Sequence, residues 1–304
     1  MSEPPVHSLP QPACRALSRK PAGVVVRRDG RLLLGVLSGL LSMVCVQLGS
    51  AWSVPAMREQ GPYALTWLRL CCAALALLAW ARPPLWRLLR AHGGQLAALG
   101  AAMAGMMLCF FAAIRSMPLG LTVAINFLGP LLVALAGAGR RLALAWPPLA
   151  FLGVGLLAWH GGQWQGDAAG LAFACGAAVC WGAYILLMKR VGRLGGGLDG
   201  LAASMLMAAL WCAPFGLAGL HGRPLPDLPQ TAVLALLTPL LPYVLEMLAL
   251  RRMPAASFGI LASLEPAIAA LAGWLLLAQP VAPAQLLGVA LVVGASLGSL
   301  LTAR

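Results

Sequence analysis

The stretch LGPLLVALAG at 128–137 returns as LEPAIAALAG at 264–273, a constant 136 residues later (128 to 264). Met117-Pro118 and Met253-Pro254 keep the same spacing. Further on, Leu152-Gly153-Val154 answers Leu287-Gly288-Val289, one residue out of step. A repeat of this period, written almost entirely in apolar residues, predicts two copies of one unit embedded in lipid.

The composition agrees. Apolar residues make up 61% of the 304 and charged residues 10%, with a mean hydropathy of +0.87. A soluble domain carries about 25% charged residues, so this chain has too few charges to cover a water-facing surface. Ten apolar windows approach the roughly 20 residues that a spanning helix needs. They fall at 32–53, 63–81, 94–114, 119–138, 145–159, 168–188, 200–218, 231–250, 255–278 and 283–302. Pro147 and Pro148 shorten the fifth. Only helices satisfy every backbone group inside such spans, and a barrel would instead show alternating segments of about ten residues. The fold class expected is therefore all-α integral membrane, with residues 1–31 as a disordered basic tail. Repeats of five helices each follow at 32–159 and 168–302. An odd number of spans per repeat makes the two copies insert with opposite orientation, the plan of many secondary transporters with a site near the midplane.

Charge sets the expected topology. One set of segments holds Arg15, Arg19, Lys20, Arg27, Arg28, Arg31, Arg82, Arg87, Arg90, Arg140, Arg141, Lys189, Arg190, Arg193, Arg251, Arg252 and Arg304. The alternate loops hold only Arg58, Arg115 and Arg223, a bias of 17 to three. The positive-inside rule then places both termini in the cytoplasm. The formal charge of +13 is thus read as topology signal and not as a nucleic-acid surface. The tail lacks the long apolar core of a cleavable signal peptide, so the first helix reads as an uncleaved anchor.

Several functions are excluded on residue grounds. Of the eight cysteines only Cys14 lies outside an apolar run, and no Cys/His group has metal-ligand spacing. They read as small packing residues, and no metal or cofactor is expected. There is no phosphate-binding Gly-rich loop. All four histidines (His7, His92, His160, His221) fall in the tail or in loops. A membrane-embedded lipid- or prenyl-transfer enzyme stays as the alternative of another class, although it would normally need a metal-binding Asp-rich loop or a loop-borne acid pair, and Glu59, Asp167, Asp199 and Asp227 stand singly.

What remains are the polar residues inside the apolar windows. Glu246 and Glu265 are the acids placed deep within them. An ionised side chain at membrane depth is costly, so these two should face the bundle interior or a wet cavity, binding protons or a substrate ammonium. Arg69 is the basic residue well inside a window. It is a candidate for a bidentate grip on a carboxylate, for pairing with Glu246 or Glu265, or for snorkelling to the outer headgroups. Asn126 shares a helix face with Thr122 and Pro130, and Trp181 with Tyr184 and Met188. Tyr243 precedes Glu246 by one turn. These are cavity-lining candidates, with helix–helix glue as the alternative. For Gln47 and Ser50, which share a face of the first helix, glue is the better reading. Pro130, Pro242 and Pro266 are expected to break their helices.

Two five-helix units, each with Met-Pro followed by Gly/Glu-Pro, resemble the EamA repeat of the drug/metabolite transporter superfamily. The run Met117-Pro118-Leu119-Gly120 to Phe127-Leu128-Gly129-Pro130 is similar to its threonine/homoserine exporter branch. So is Leu241-Pro242-Tyr243-Val244-Leu245-Glu246-Met247 with Ser263-Leu264-Glu265-Pro266. The resemblance covers roughly 32–302. It departs at Asn126, where that branch leads one to expect Glu. It implies a secondary transporter of the bacterial inner membrane, without enzymatic activity, exporting a small polar metabolite such as threonine or homoserine by proton antiport and alternating access. Cationic drugs or nucleotide-type metabolites are the alternative cargo. The partners implied are the amino acid, protons and the bilayer.

Overall fold

A computed structural model describes residues 23–136, 145–160, 163–164, 166–191, 198–222, 227–253, 258 and 261–302. The helices are α1 (Gly23–Gln60), α2 (Pro62–Ala81), α3 (Leu85–Ala113), α4 (Leu119–Asn126), α5 (Leu128–Ala136) and α6 (Trp146–Ala158). They continue with α7 (Ala168–Val191), α8 (Leu198–Leu220), α9 (Leu228–Ala235), α10 (Leu241–Leu250), α11 (Glu265–Leu277) and α12 (Pro283–Thr302). A π-turn, Leu236–Leu240, joins α9 to α10. Between α6 and α7, Trp159–His160 and Gln163–Trp164 pair as a minimal antiparallel ribbon.

Six helical stretches are long and apolar enough to cross a membrane, and four shorter apolar ones lie at Leu119–Val133, Trp146–Ala158, Glu265–Leu277 and Pro283–Gly298. Large apolar side chains cover the outside of the bundle. Leu75, Val179 and Leu275 are more than half exposed, as lipid-facing residues of a membrane protein are. Trp80 and Trp86 are equally exposed at the α2–α3 turn, where Arg90 stacks 4.4 Å above the Trp86 ring. Aromatic and basic residues together suit a membrane–water boundary.

The prolines explain most departures from regular helix. Proline lacks the N–H that would bond the carbonyl four residues back. Pro130 therefore leaves the Asn126 carbonyl without its helical partner, and the window read as one helix divides at Phe127 into α4 and α5. Pro242 does the same to Thr238, which adopts an extended conformation (φ −157°, ψ 115°) inside the π-turn. Pro266 stands at the start of α11, directly after a turn at Ser263 and Leu264. At the α2 end, Arg82 turns left-handed (φ 46°, ψ 49°) ahead of Pro83 and Pro84.

Two boundaries differ from the sequence reading. Helix α1 begins at Gly23 and not after residue 31, because Val24, Val25 and Val26 follow the last tail proline without interruption; residues 1–22 lie outside the described set. Helix α3 begins at Leu85, nine residues before its window, and crosses a non-helical His92 (φ −137°, ψ 18°).

Packing runs between the two halves of the chain. α3 lies on α7 and α8, α2 on α8, α1 on α10, α4 on α11, and α6 on α12. Glycines allow the closest approaches. A Cβ at Gly153 would meet the Gly288 carbonyl oxygen at 2.7 Å, and one at Gly288 would meet that of Gly153 at 2.6 Å. One at Gly129 would overlap the Ala178 carbonyl.

Candidate functional site

Where α1, α3, α4, α7, α10 and α11 converge, the bundle frames a partly open cavity of about 90 Å³. The helix breaks shape it. Asn126 is the last residue of α4, Thr238 and Pro239 belong to the π-turn, and Glu265 is the first residue of α11. Each break brings interrupted backbone to the cavity wall, which is where membrane proteins tolerate it.

The structure brings together Asn126, Trp181, Tyr184, Tyr243, Glu246 and Glu265 on that wall, with Pro242 beside them. The rings of Tyr184 and Tyr243 sit 5.8 Å apart, and Trp181 meets Phe127 edge-on at 5.5 Å. Glu246 and Glu265 are half-buried and close enough for their charges to interact. The Ser42 hydroxyl lies within reach of the Glu246 carboxylate and donates to the Pro242 carbonyl at 3.2 Å. Among the described residues no basic side chain neutralises either acid.

Arg69 is not on the wall. It is fully buried, with Nη1 donating to Ser53 Oγ at 2.7 Å and Nη2 to Thr66 Oγ1 at 3.5 Å. Its guanidinium stacks 3.8 Å from the centroid of the Phe111 ring, and Phe111 does line the cavity. Neither Glu246 nor Glu265 is its partner, and burial this complete leaves no room for snorkelling. Pro130, Pro266 and Thr122 also stay off the wall; the Thr122 hydroxyl donates to the Pro118 carbonyl at 3.1 Å.

Gln47 and Ser50 correct the glue reading. Both line the cavity, each 1% exposed, and among the described residues neither the Gln47 amide nor the Ser50 hydroxyl has a hydrogen-bond partner. Met106, Met107, Phe110 and Phe111 escaped the sequence reading altogether because they are apolar. The repeat held the signal: adding 136 to 106, 107 and 110 gives Pro242, Tyr243 and Glu246, which line the same cavity. Positions 136 residues apart thus line one cavity with opposite chemistry, apolar from α3 and polar from α10.

Among the described residues no group of three or more His, Cys, Asp or Glu could hold a metal ion. Away from the cavity, Asp167 accepts from the Gly170 N–H at 2.7 Å and the Ser116 hydroxyl at 2.9 Å, capping the start of α7. Those two donors, the backbone one first, hold its carboxyl below the usual carboxylate range.

Comparison with known proteins meets this architecture. The profile of the EamA-like transporter family matches residues 168–301. The threonine/homoserine exporter RhtA of Escherichia coli (strain K12) is 38% identical over 271 residues, covering 87% of this chain and 90% of that protein. The protein of the same name from Salmonella typhimurium (strain SL1344) is 37% identical over 277 residues, covering 89% and 92%. A solved crystal structure superposes with a TM-score of 0.56 at 22% identity, covering 91% of this chain and 98% of the other, which speaks to the fold alone. By sequence identity over most of its length, the chain belongs to the EamA-like transporter family, in the branch of the threonine/homoserine exporters, and is a transporter rather than an enzyme.

Proposed function

We propose that the chain exports small amino acids of the threonine/homoserine type from the bacterial cytoplasm, by proton antiport and alternating access through the central cavity. The observation that carries this reading is the pair of carboxylates, Glu246 and Glu265, facing one cavity with no basic partner among the described residues. Such a pair is suited to exchange a proton for a substrate ammonium. The names of the relatives support the cargo.

In this reading ten spans form two inverted five-helix repeats, with both termini in the cytoplasm. Four of the spans are short or interrupted. The packing supports the repeat. Exchanging the halves turns the α3–α7 contact into the α1–α10 contact and returns α2–α8, α4–α11 and α6–α12 to themselves. A two-fold relation requires that pattern. The cavity lies on the surface between the halves, where rocking of one against the other exposes it alternately to each side.

The test compares cells overexpressing the chain with cells lacking it, challenged with growth-inhibitory threonine, homoserine and their analogues, with extracellular amino acid measured directly. Resistance and faster appearance of threonine or homoserine outside are expected. Resistance to lipophilic cations instead, without amino-acid efflux, overturns the cargo assignment.

A further inference from the structure

The polar groups facing the cavity divide into two sets. Glu246 and Glu265 carry the acidic set. Gln47 and Ser50, on successive turns of α1, carry a neutral one whose hydrogen-bonding atoms have no partner among the described residues. A buried amide left without bonds is expensive, and a helix-glue role requires a bond that neither residue makes. Their bonds are therefore available to something that enters the cavity.

The next turn of α1 indicates its charge. Ser53 follows Ser50 by three residues and accepts from Arg69, whose cation has a hydroxyl-and-ring environment and, among the described residues, no acidic partner. A positive charge thus stands one layer behind Gln47 and Ser50. An acidic group stands further back along the same helix, where Ser42 lies within reach of Glu246. From Ser42 to Gln47 α1 rises about 7.5 Å, so the acidic and the neutral groups lie at different depths along this helix.

We propose that Gln47 and Ser50 form the subsite for the substrate's α-carboxylate, donating from Nε2 and Oγ, with buried Arg69 as the counter-charge behind it and the ammonium directed to Glu246 and Glu265. The proposal rests on the amino-acid reading above and adds an orientation to it. The substrate side chain is left toward Met106, Met107 and Phe110, a wall that selects by size more than by hydrogen bonding.

The experiment uses the purified full-length chain and three probes: threonine, 2-aminobutyrate (no hydroxyl) and threoninol (no carboxylate). Gln47→Met keeps the length and removes the donor. It should weaken threonine and 2-aminobutyrate alike, roughly 10- to 100-fold, as expected for loss of a bond to a charged group, and leave threoninol nearly unchanged. Gln47→Glu should reverse the preference, binding threoninol at least as well as the parent does and losing both amino acids; retained threoninol binding shows that the variant is folded. Equal weakening of all three probes by Gln47→Met overturns the proposal, as does a loss confined to the two hydroxyl-bearing probes, which would place the hydroxyl there. If the parent binds no amino acid, the proposed function falls and this orientation with it. If the parent binds amino acids and only the variant pattern fails, the orientation alone falls.

Discussion

Replacing Arg69 by Met removes its charge and keeps much of its stem. The distance at stake follows from the helix. Ser53 Oγ is 2.7 Å from Nη1, and Ser50 is three residues, about 4.5 Å of rise, further along α1. A carboxylate bonded to Ser50 therefore lies roughly 8 Å from the cation. At an effective dielectric constant of about 20, two unit charges at that distance attract by about 2 kcal/mol, or roughly 30-fold in affinity. Arg69→Met should weaken amino-acid binding by about that factor and threoninol binding hardly at all. Arg69→Lys keeps the charge and loses the planar fork, so it should retain most of the affinity. Direct bidentate contact with substrate would predict the opposite, a large loss for Lys as well. Binding is measured by isothermal calorimetry in detergent, with thermal melting alongside to establish folding. If a folded Arg69→Met binds threonine as the parent does, the counter-charge argument is wrong and Arg69 serves the bundle only.

Other consequences are open to simpler assays. Gly153→Leu drives a side chain into the Gly288 carbonyl at the α6–α12 crossing; overpacking of this kind costs about 1–3 kcal/mol, so the melting temperature should fall, while Gly155→Ala, with nothing within 4 Å, should be nearly silent. The depressed pKa of Asp167 means that its cap stabilises above the ordinary carboxylate range and that the contribution disappears as pH falls through the lowered value. Asp167→Asn should thus melt earlier than the parent at neutral pH, with the gap closing in acid; a pH-independent gap would refute the charged cap. In a cysteine-free background, cysteines at the exposed positions Arg115 and His221 should react with an impermeant thiol reagent in intact cells, and those at Arg87 and Arg251 only after permeabilisation. Equal labelling of the two pairs would contradict the proposed orientation.

Which parts of this were legible beforehand follows from what each residue type must do in lipid. Glu246 and Glu265 stood out because a carboxylate at membrane depth needs an interior, and the structure gives them one. Pro130 and Pro242 marked real breaks because a missing N–H acts locally. Arg69 was left between an interior role and snorkelling, because its partners Ser53 and Thr66 and its stacking on Phe111 depend on how α1, α2 and α3 pack, which no local pattern encodes. Gln47 was misjudged for the same reason: two polar residues on one face indicate that the face is buried, not whether a neighbouring helix or a cavity lies opposite. The apolar wall of Met106, Met107 and Phe110 looks like any lipid-facing or core surface, and only its 136-residue relation to Pro242, Tyr243 and Glu246 distinguishes it.

The central claim is that the cavity's carboxylates couple export to protons. Purified chain in proteoliposomes, loaded with radiolabelled homoserine and given an imposed pH gradient, tests it directly, with homoserine counterflow at equal pH as the control for substrate passage. The parent should release homoserine faster under the gradient. Glu246→Gln should retain counterflow and lose the gradient response, and Glu265→Gln should show a smaller defect. A full gradient response in both variants would contradict the account.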